Sequence, residues 1–236
     1  MVQKKSKAGP PASPRPRGRP RAYRPEVALT QARDAFWRGG FAATSLDDLS
    51  AATGMNRPSL YAAFGDKQAL YLKAYANYRA EVRETFRPIF LAEAPLRNKL
   101  RRILVAALDL YSSGETGPRG CFTVLTASSD VVAEPQIRAL VAEAIAGVDE
   151  AFAGLFARAV ETGELPAGAD PARLGRMAGA TIHSLSVRAR ARVARGELET
   201  LIEDAVATML GPAAAGPPAP EPPRQRVGVE RKSERR

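Results

Sequence analysis

Between residues 25 and 210, apolar side chains recur every three or four positions, and glycine or proline interrupts the pattern where one helix would end and another begin. Three stripes are clear: Ala28, Ala32, Ala35 and Phe36; Ile103, Leu104, Ala107, Leu108 and Tyr111; and Leu140, Ala144, Val148, Phe152, Leu155 and Phe156. This spacing puts apolar side chains on one face of a helix. Gly39 and Gly40 are expected to end the first helix. A strand-like run at residues 122–125 is too short to decide. We predict an all-α fold of about nine helices.

The charge of the chain is concentrated at its two ends. The 236 residues include 35 Lys and Arg against 25 Asp and Glu, a net charge of +10 that indicates an anionic partner. Residues 1–24 contain eight basic and no acidic residues, whereas residues 211–236 contain six basic and three acidic ones. Both ends are also rich in proline. We predict a disordered basic arm at 1–24 and a disordered proline-rich tail at 211–236.

Several classes of protein are disfavoured. One cysteine cannot form an internal disulfide, and one histidine with one cysteine cannot build a usual zinc site. No apolar run approaches the roughly 20 residues that span a bilayer, and the N-terminus lacks the apolar core of a secretory signal. Ser128 and Ser129 have no signature of a nearby general base. We therefore predict a cytoplasmic protein that is not an enzyme, contacts no membrane and needs no cofactor or metal.

Residues 44–70 read TSLDDLSAATGMNRPSLYAAFGDKQAL, which predicts two short helices joined by a turn. Thr44 or Ser45 can cap the first helix, and Thr44 with Asp47 matches a capping box. Gly54 supplies the turn, and Asn56 caps the second helix. The residues expected to face inward are Leu46, Leu49, Leu60 and Phe64. Such a pair is a helix-turn-helix, whose second helix enters the major groove of DNA.

The second helix leaves a distinctive set of side chains facing outward. Arg57 can form paired hydrogen bonds with guanine, and the small side chains of Ala62 and Ala63 allow close approach to base edges. Pro58 is tolerated in the first turn of a helix. Tyr61 can donate its hydroxyl to a phosphate. Asp66 is expected to cap the next helix and to direct Lys67 towards the DNA backbone.

These residues resemble the N-terminal domain of the TetR/AcrR family of transcriptional regulators. The match, carried by GRPRAY and FWRGGFAATSLDDLSAATGMNRPSLYAAFGDKQALYLKAY, covers about residues 18–80. The resemblance implies a DNA-binding domain at 25–70 and a helical ligand-binding and dimerisation domain at 71–210. It also implies that Thr44, Tyr61 and Lys67 contact phosphates. The side chains implied to face the bases are Arg57, Pro58, Ser59, Ala62 and Ala63.

The basic arm has two possible roles. Arg17, Arg19 and Arg21 lie in the sequence PRGRPR, which resembles the core of an AT-hook. An extended strip of this kind lies in a narrow minor groove, where arginine is attracted by the enhanced negative potential. The alternative is a solubilising tail that adds only nonspecific attraction to phosphates.

The second half of the chain offers candidate ligand contacts and alternatives to them. Tyr75, Tyr78 and Phe86 follow helical spacing and could line a ligand cavity, although such stripes more often form plain core. Cys121 follows Pro-Arg-Gly, which predicts a loop that enters a helix, and it is either a reactive thiol at the start of that helix or a small buried hydrophobe. His183 is either a ligand contact or a satisfied core histidine.

Residues of about 171–210 are the predicted dimer surface. Small residues that would allow close helix approach are Gly175, Gly179, Ala180 and Ser184, and apolar area would come from Leu174, Met177, Ala178, Ile182 and Leu185. Residues 198–210 add a second apolar face. The resemblance implies a homodimer formed through the last two helices, which suits a palindromic DNA site.

Together, these features predict a sequence-specific DNA-binding transcriptional regulator whose partner is double-stranded DNA. The resemblance implies a repressor that an unknown small-molecule effector releases from a palindromic operator. The alternative is an architectural DNA-binding protein without ligand sensing, held to DNA by its basic tails.

Overall fold

The structure is a computed structural model that describes residues 24–114 and 117–211. The predicted arm and tail therefore lie almost entirely outside the described residues. Within them, the chain forms nine α-helices, one short 3₁₀ helix at Asp130–Ala133 and no strand. The α-helices are α1 (Pro25–Ala43), α2 (Leu46–Thr53), α3 (Arg57–Phe64), α4 (Lys67–Leu91), α5 (Leu96–Ser112), α6 (Phe122–Ala127), α7 (Pro135–Glu161), α8 (Pro171–Arg190) and α9 (Arg195–Leu210). The all-α prediction is confirmed, and the ambiguous run at 122–125 is helical.

The helices begin and end where local chemistry predicts. Asn56, Asp66 and Asp170 each accept a hydrogen bond from a backbone N–H in the first turn of α3, α4 and α8. Such caps satisfy amide groups that have no partner inside the helix. Gly40 has a φ of 78° and a ψ of 170°, so the backbone of α1 leaves helical geometry there. Helical residues resume as far as Ala43, so the glycine pair kinks this helix rather than ending it.

An aromatic cluster joins the N-terminal helices to the rest of the protein. Phe36 and Trp37 of α1 are buried, together with Tyr71 of α4 and Phe122 of α6. The rings of Trp37 and Phe122 stack with centroids 5.6 Å apart, and Tyr71 meets Phe36 edge-on at 5.0 Å. Because buried aromatic rings contribute large apolar areas, this cluster holds α1 against both α4 and α6.

Helix α8 packs closely against α7 of the same chain, and glycines make this possible. A Cβ at Gly175 would lie 2.5 Å from the carbonyl oxygen of Asp149, and one at Gly179 would overlap the Asp149 carboxylate. Ala178, Ile182 and Leu185 are also buried within the chain. The prediction that these residues supply a dimer surface is therefore wrong, because the close helix approach that they permit is used inside the subunit.

Candidate nucleic-acid interface and internal cavity

Helix α2 starts with a capping box one residue later than Thr44 and Asp47 would place it. The Ser45 hydroxyl accepts a hydrogen bond from the backbone N–H of Asp48, and the Asp48 carboxylate accepts one from the backbone N–H of Ser45 at 2.8 Å. The Ser45 hydroxyl can also donate to the Asp48 carboxylate at 2.7 Å, and this hydrogen bond, together with the one from the Ser45 backbone N–H, lowers the pKa of Asp48 from its ordinary value. The box is thus reciprocal and local, as expected for this motif.

Thr44 does not face outward, contrary to the implied phosphate contact. Its side chain is 4% exposed, and its hydroxyl donates to the carbonyl oxygen of Gly40 at 2.6 Å. A hydroxyl has one proton to donate, and here that proton satisfies a backbone carbonyl at the kink of α1. The structure therefore removes the Thr44 side chain from the candidate interface.

The turn between α2 and α3 fixes the orientation of α3. Gly54 adopts the left-handed conformation, with a φ of 65°, and Met55 is buried in the turn. Asn56 then accepts a hydrogen bond from the Ser59 backbone N–H at 2.9 Å. Leu60 and Phe64 are buried beneath the helix. With this face anchored, the opposite face of α3 is turned to solvent.

The outward face of α3 carries most of the predicted side chains. Arg57, Pro58 and Ala62 are exposed, and Tyr61 is 48% exposed. Ser59 is half-buried. Ala63 is half-buried and packs against the core. The prediction that it faces outward is therefore wrong.

Arg57 is held in a paired ion bridge. Its Nε donates to Oδ1 of Asp47 at 2.9 Å, and its Nη2 donates to Oδ2 at 2.6 Å. These hydrogen bonds raise the pKa of Arg57. Both side chains are largely exposed, at 54% and 76%, so the pair lies on the surface of the helix-turn-helix. The same fork of N–H donors could instead meet the edge of a guanine.

Lys67 stands at the first position of α4, directly after the cap formed by Asp66. The Asp66 carboxylate accepts a hydrogen bond from the Ala69 backbone N–H at 2.7 Å, as predicted. The Lys67 ammonium lies over the Phe41 ring, 4.4 Å from its centroid, and partial burial lowers its pKa. Arg17, Arg19 and Arg21 lie outside the described residues.

A cavity of about 370 Å³ lies between α4, α5, α7 and α8, at the start of α6. Its volume falls at the small end of the range for ligand sites. The apolar lining is Val82, Phe86, Phe90, Ile103, Leu110, Ala144, Val148, Ala151, Phe152 and Ile182. The remaining lining residues are Tyr78, Arg79, Arg83, Arg87, Tyr111, Cys121, Thr123, Gly147 and His183.

Four of the five predicted ligand contacts line this cavity: Tyr78, Phe86, Cys121 and His183. Tyr75 does not. It is buried in the core, and its hydroxyl donates to Oγ1 of Thr123 at 3.1 Å. The arginines of the lining were missed. Their four-residue spacing on one helix was the signal that could have found them, because it places them on one face.

Cys121 is buried and lies between two tyrosines of the cavity wall. Its Sγ is 3.3 Å from the hydroxyl of Tyr78, and it also interacts with the hydroxyl of Tyr111. Burial raises the pKa of both tyrosines well above the ordinary value, so both hydroxyls keep their protons. The Cys121 backbone N–H donates to Oγ of Ser186 at 2.7 Å, which ties this wall to α8.

His183 lies half-buried on the α8 side of the cavity. Burial lowers its pKa from the ordinary value of 6.5, and the nearby Asp149 carboxylate acts in the opposite direction. Because burial has the larger effect, the imidazole is biased towards its neutral form.

Two family profiles match the chain, one over the helix-turn-helix region and one over most of the helices that follow it. The profile described as "Bacterial regulatory proteins, tetR family" covers residues 28–74, and "Tetracyclin repressor-like, C-terminal domain" covers residues 97–203. A cysteine variant of the TetR-family regulator CifR, solved with a 26-bp double-stranded operator DNA, is 30% identical with a TM-score of 0.75. That similarity covers 80% of this chain and 98% of CifR. The chain belongs to the TetR family.

Curated relatives of this TetR-family chain include two repressors of Escherichia coli K12. The HTH-type transcriptional repressor ComR is 29% identical over 74% of this chain and 83% of its own length. The repressor BdcR is 34% identical over 45% of this chain and 54% of its own length. Together with the helix-turn-helix geometry, these similarities confirm the prediction of a DNA-binding transcriptional regulator. In the described part of the chain, no helix is long and apolar enough to cross a membrane.

Proposed function

We propose that this TetR-family protein is a homodimeric repressor that binds a near-palindromic operator and is released by a small molecule in the cavity between α4, α5, α7 and α8. The observation that carries the proposal is that one helix, α4, serves both sites. It begins at Lys67, beside α3, and its second half from Tyr78 to Phe90 forms one wall of the cavity. A ligand in the cavity therefore contacts the helix on which α3 rests.

On the DNA side, α3 would enter the major groove. Arg57, Pro58 and Ala62 are exposed on one surface and would face base edges, with the half-buried Ser59 beside them. Tyr61 and Lys67 would contact phosphates on either side. The arm residues Arg17, Arg19 and Arg21 would add minor-groove contacts.

The ion bridge between Asp47 and Arg57 gives this interface a defined starting geometry. In the free protein Asp47 holds the guanidinium at the surface, and this contact is given up when Arg57 meets a base. Binding guanine would exchange the carboxylate for the O6 and N7 acceptors of the base. Breaking the ion bridge costs little free energy because both members of the pair are exposed to water.

The dimer would form through the parts of α8 and α9 that face solvent. On α8 these include Met177, which is 39% exposed, Ala180 and Val187, which is 55% exposed. They follow one another at three- to seven-residue intervals and so lie on one side of the helix. Two copies of α3 related by a two-fold axis would then read two half-sites about one helical turn apart.

A second contact connects the cavity with α1 of the DNA-binding part. The ring of Tyr78 lines the cavity and packs edge-on against Trp37, with centroids 4.8 Å apart. The Arg119 guanidinium lies 3.9 Å from the Trp37 ring centroid and 3.5 Å from the Asp34 carboxylate. A ligand that binds better when Tyr78 is displaced would thus favour a different position of α1, and only such differential affinity can drive release.

Fluorescence anisotropy with DNA from immediately upstream of this protein's own gene tests the proposal. We expect binding about a thousandfold tighter than to scrambled DNA at physiological salt. Replacing Arg57 and Tyr61 by Ala should reduce this preference about tenfold or more, whereas Arg138→Ala, which removes an exposed arginine of α7, should leave it intact. Equal binding to both DNAs that persists in the Arg57 and Tyr61 variant would favour the architectural alternative, and removal of residues 1–24 would then show how much affinity the arm supplies.

A further inference from the structure

The mouth of the cavity carries a row of positive charge. Arg79, Arg83 and Arg87 follow one another at four-residue intervals on α4, and all three line the cavity. Among the described residues that line it, none is acidic.

Two of these arginines have no carboxylate partner among the described residues. Arg87 lies 3.3 Å from the carboxylate of Glu84 on the same helix. Arg79 forms a hydrogen bond with the Tyr75 hydroxyl, and its guanidinium lies beside Gly147 on α7. Arg83 is exposed at the rim. Guanidinium groups next to an apolar pocket are suited to a carboxylate, because they offer paired N–H donors in a planar fork.

The remaining wall is suited to a hydrocarbon. Phe86 and Phe152 are buried, and the ring of Phe90 packs against Phe152 with centroids 5.7 Å apart. Tyr78 and Tyr111 stay protonated and can donate hydrogen bonds, but they carry no charge that would repel an anion. An apolar body gains from burial here, whereas a charged head is stable only where a partner charge meets it.

We propose that the cavity binds a small amphiphilic carboxylate, with its acid group against Arg79 and Arg83 and its hydrocarbon body among Phe86, Phe90 and Phe152. This inference rests on the proposed function, because the carboxylate would be the small molecule that releases the repressor from DNA. It goes further by naming the chemical class of the effector and the side chains that select it.

Isothermal titration calorimetry on the full chain without DNA tests the selection of the head group. The probes are decanoate, decanol and decylamine, which share one hydrocarbon tail and carry a negative, neutral or positive head. We expect decanoate to bind at least about tenfold more tightly than decanol. Hydrogen bonds to charged groups contribute more to the binding free energy than hydrogen bonds between neutral groups do. Decylamine should bind most weakly of the three.

Variants of the rim separate the head group from the tail. The double substitution Arg79→Gln with Arg83→Gln should weaken decanoate binding about tenfold while leaving decanol unchanged. The double substitution Arg138→Gln with Arg173→Gln removes two exposed arginines outside the cavity and serves as the charge-matched control. Val148→Trp fills the apolar part of the cavity and should weaken all three probes. Melting temperatures of the variants check that each is folded.

Three results would overturn the proposal: no decanoate binding, equal affinity for decanoate and decanol, or unchanged decanoate affinity in the arginine double variant. These measurements involve no DNA. Operator binding measured without any probe is a separate experiment, so failure of the carboxylate hypothesis is distinguishable from failure of the regulator hypothesis.

Discussion

The helix-turn-helix and the cavity are built from contacts of very different sequence separation. Around α3, the caps formed by Ser45, Asn56 and Asp66 each reach three residues along the chain. Around the cavity, Tyr78 contacts Cys121 across 43 residues, and Cys121 contacts Ser186 across 65. The surface that meets DNA is thus shaped locally, while the space that would admit a ligand exists only once distant helices have packed. Substitutions should therefore disturb the two regions in different ways.

The packing of α7 against α8 should be the most sensitive point, because it encloses the cavity. Gly175→Ala places a Cβ 2.5 Å from the Asp149 carbonyl oxygen and 2.8 Å from the Ala153 backbone nitrogen, neither of which can move as a flexible side chain would. We expect the free energy of unfolding, measured with urea, to fall by about 1–3 kcal/mol. Gly154→Ala, on α7 with open space at its Cβ, is the matched control and should raise stability by roughly 0.5–1 kcal/mol. A Gly175→Ala protein as stable as this control would contradict the close packing.

Loss of the outward arginine should affect DNA binding without affecting the fold. Arg57 is exposed, and in the described part of the chain its ion pair is with the exposed Asp47, so Arg57→Ala should leave the melting temperature nearly unchanged. Operator affinity should fall about tenfold, with relaxed preference at the base pair that it reads.

The partner residue sharpens this test. Asp47→Asn keeps the size of the side chain but removes a negative charge from the DNA-facing surface, so operator affinity should hold or rise. A parallel loss of affinity in Asp47→Asn would show that the ion bridge, rather than Arg57 itself, positions the interface. Anisotropy titrations with the two variants and the wild type separate these outcomes.

A local cap should have a smaller effect than the glycine packing. Ser45→Ala removes the acceptor for the Asp48 backbone N–H, and we expect a loss of about 1 kcal/mol in the free energy of unfolding. Ser45→Asn should restore most of it, because asparagine caps as well as serine. If both variants were equally unstable, the hydroxyl of Ser45 would have some role other than capping.

The same difference in separation explains what could be predicted from the sequence. Asn56, Gly54 and Asp66 were placed correctly because each acts on its own turn. The capping box was misplaced by one residue since Thr44 and Ser45 are both good caps, and each has an aspartate three residues later. The partly buried hydrogen bond from the Thr44 hydroxyl to the Gly40 carbonyl, which decides between them, depends on the kink of α1.

Contacts between helices that lie far apart in the sequence were predicted less well. Gly175 and Gly179 indicate that another helix packs closely against α8. The sequence does not determine whether that helix is α7 of the same chain or belongs to a second subunit. Likewise, Arg79 and Arg83 are typical of a solvated helix face until α7 is placed opposite them. Tyr75 and Tyr78 share one stripe, and only the position of α6 puts the first in the core and the second at the cavity.

The smallest effect expected is a pH dependence from the cavity side. Burial lowers the pKa of His183 in the folded protein below the 6.5 of the unfolded chain, so between these values the unfolded state binds more protons. Stability should therefore decline as the pH falls through 6.5 and level off below the folded-state pKa. His183→Gln should lack this component, so the difference in the free energy of unfolding between variant and wild type should change between about pH 8 and about pH 5. A difference that stays constant over this range would mean that the imidazole is as well solvated in the folded chain as in the unfolded one, and that this side of the cavity is open to water.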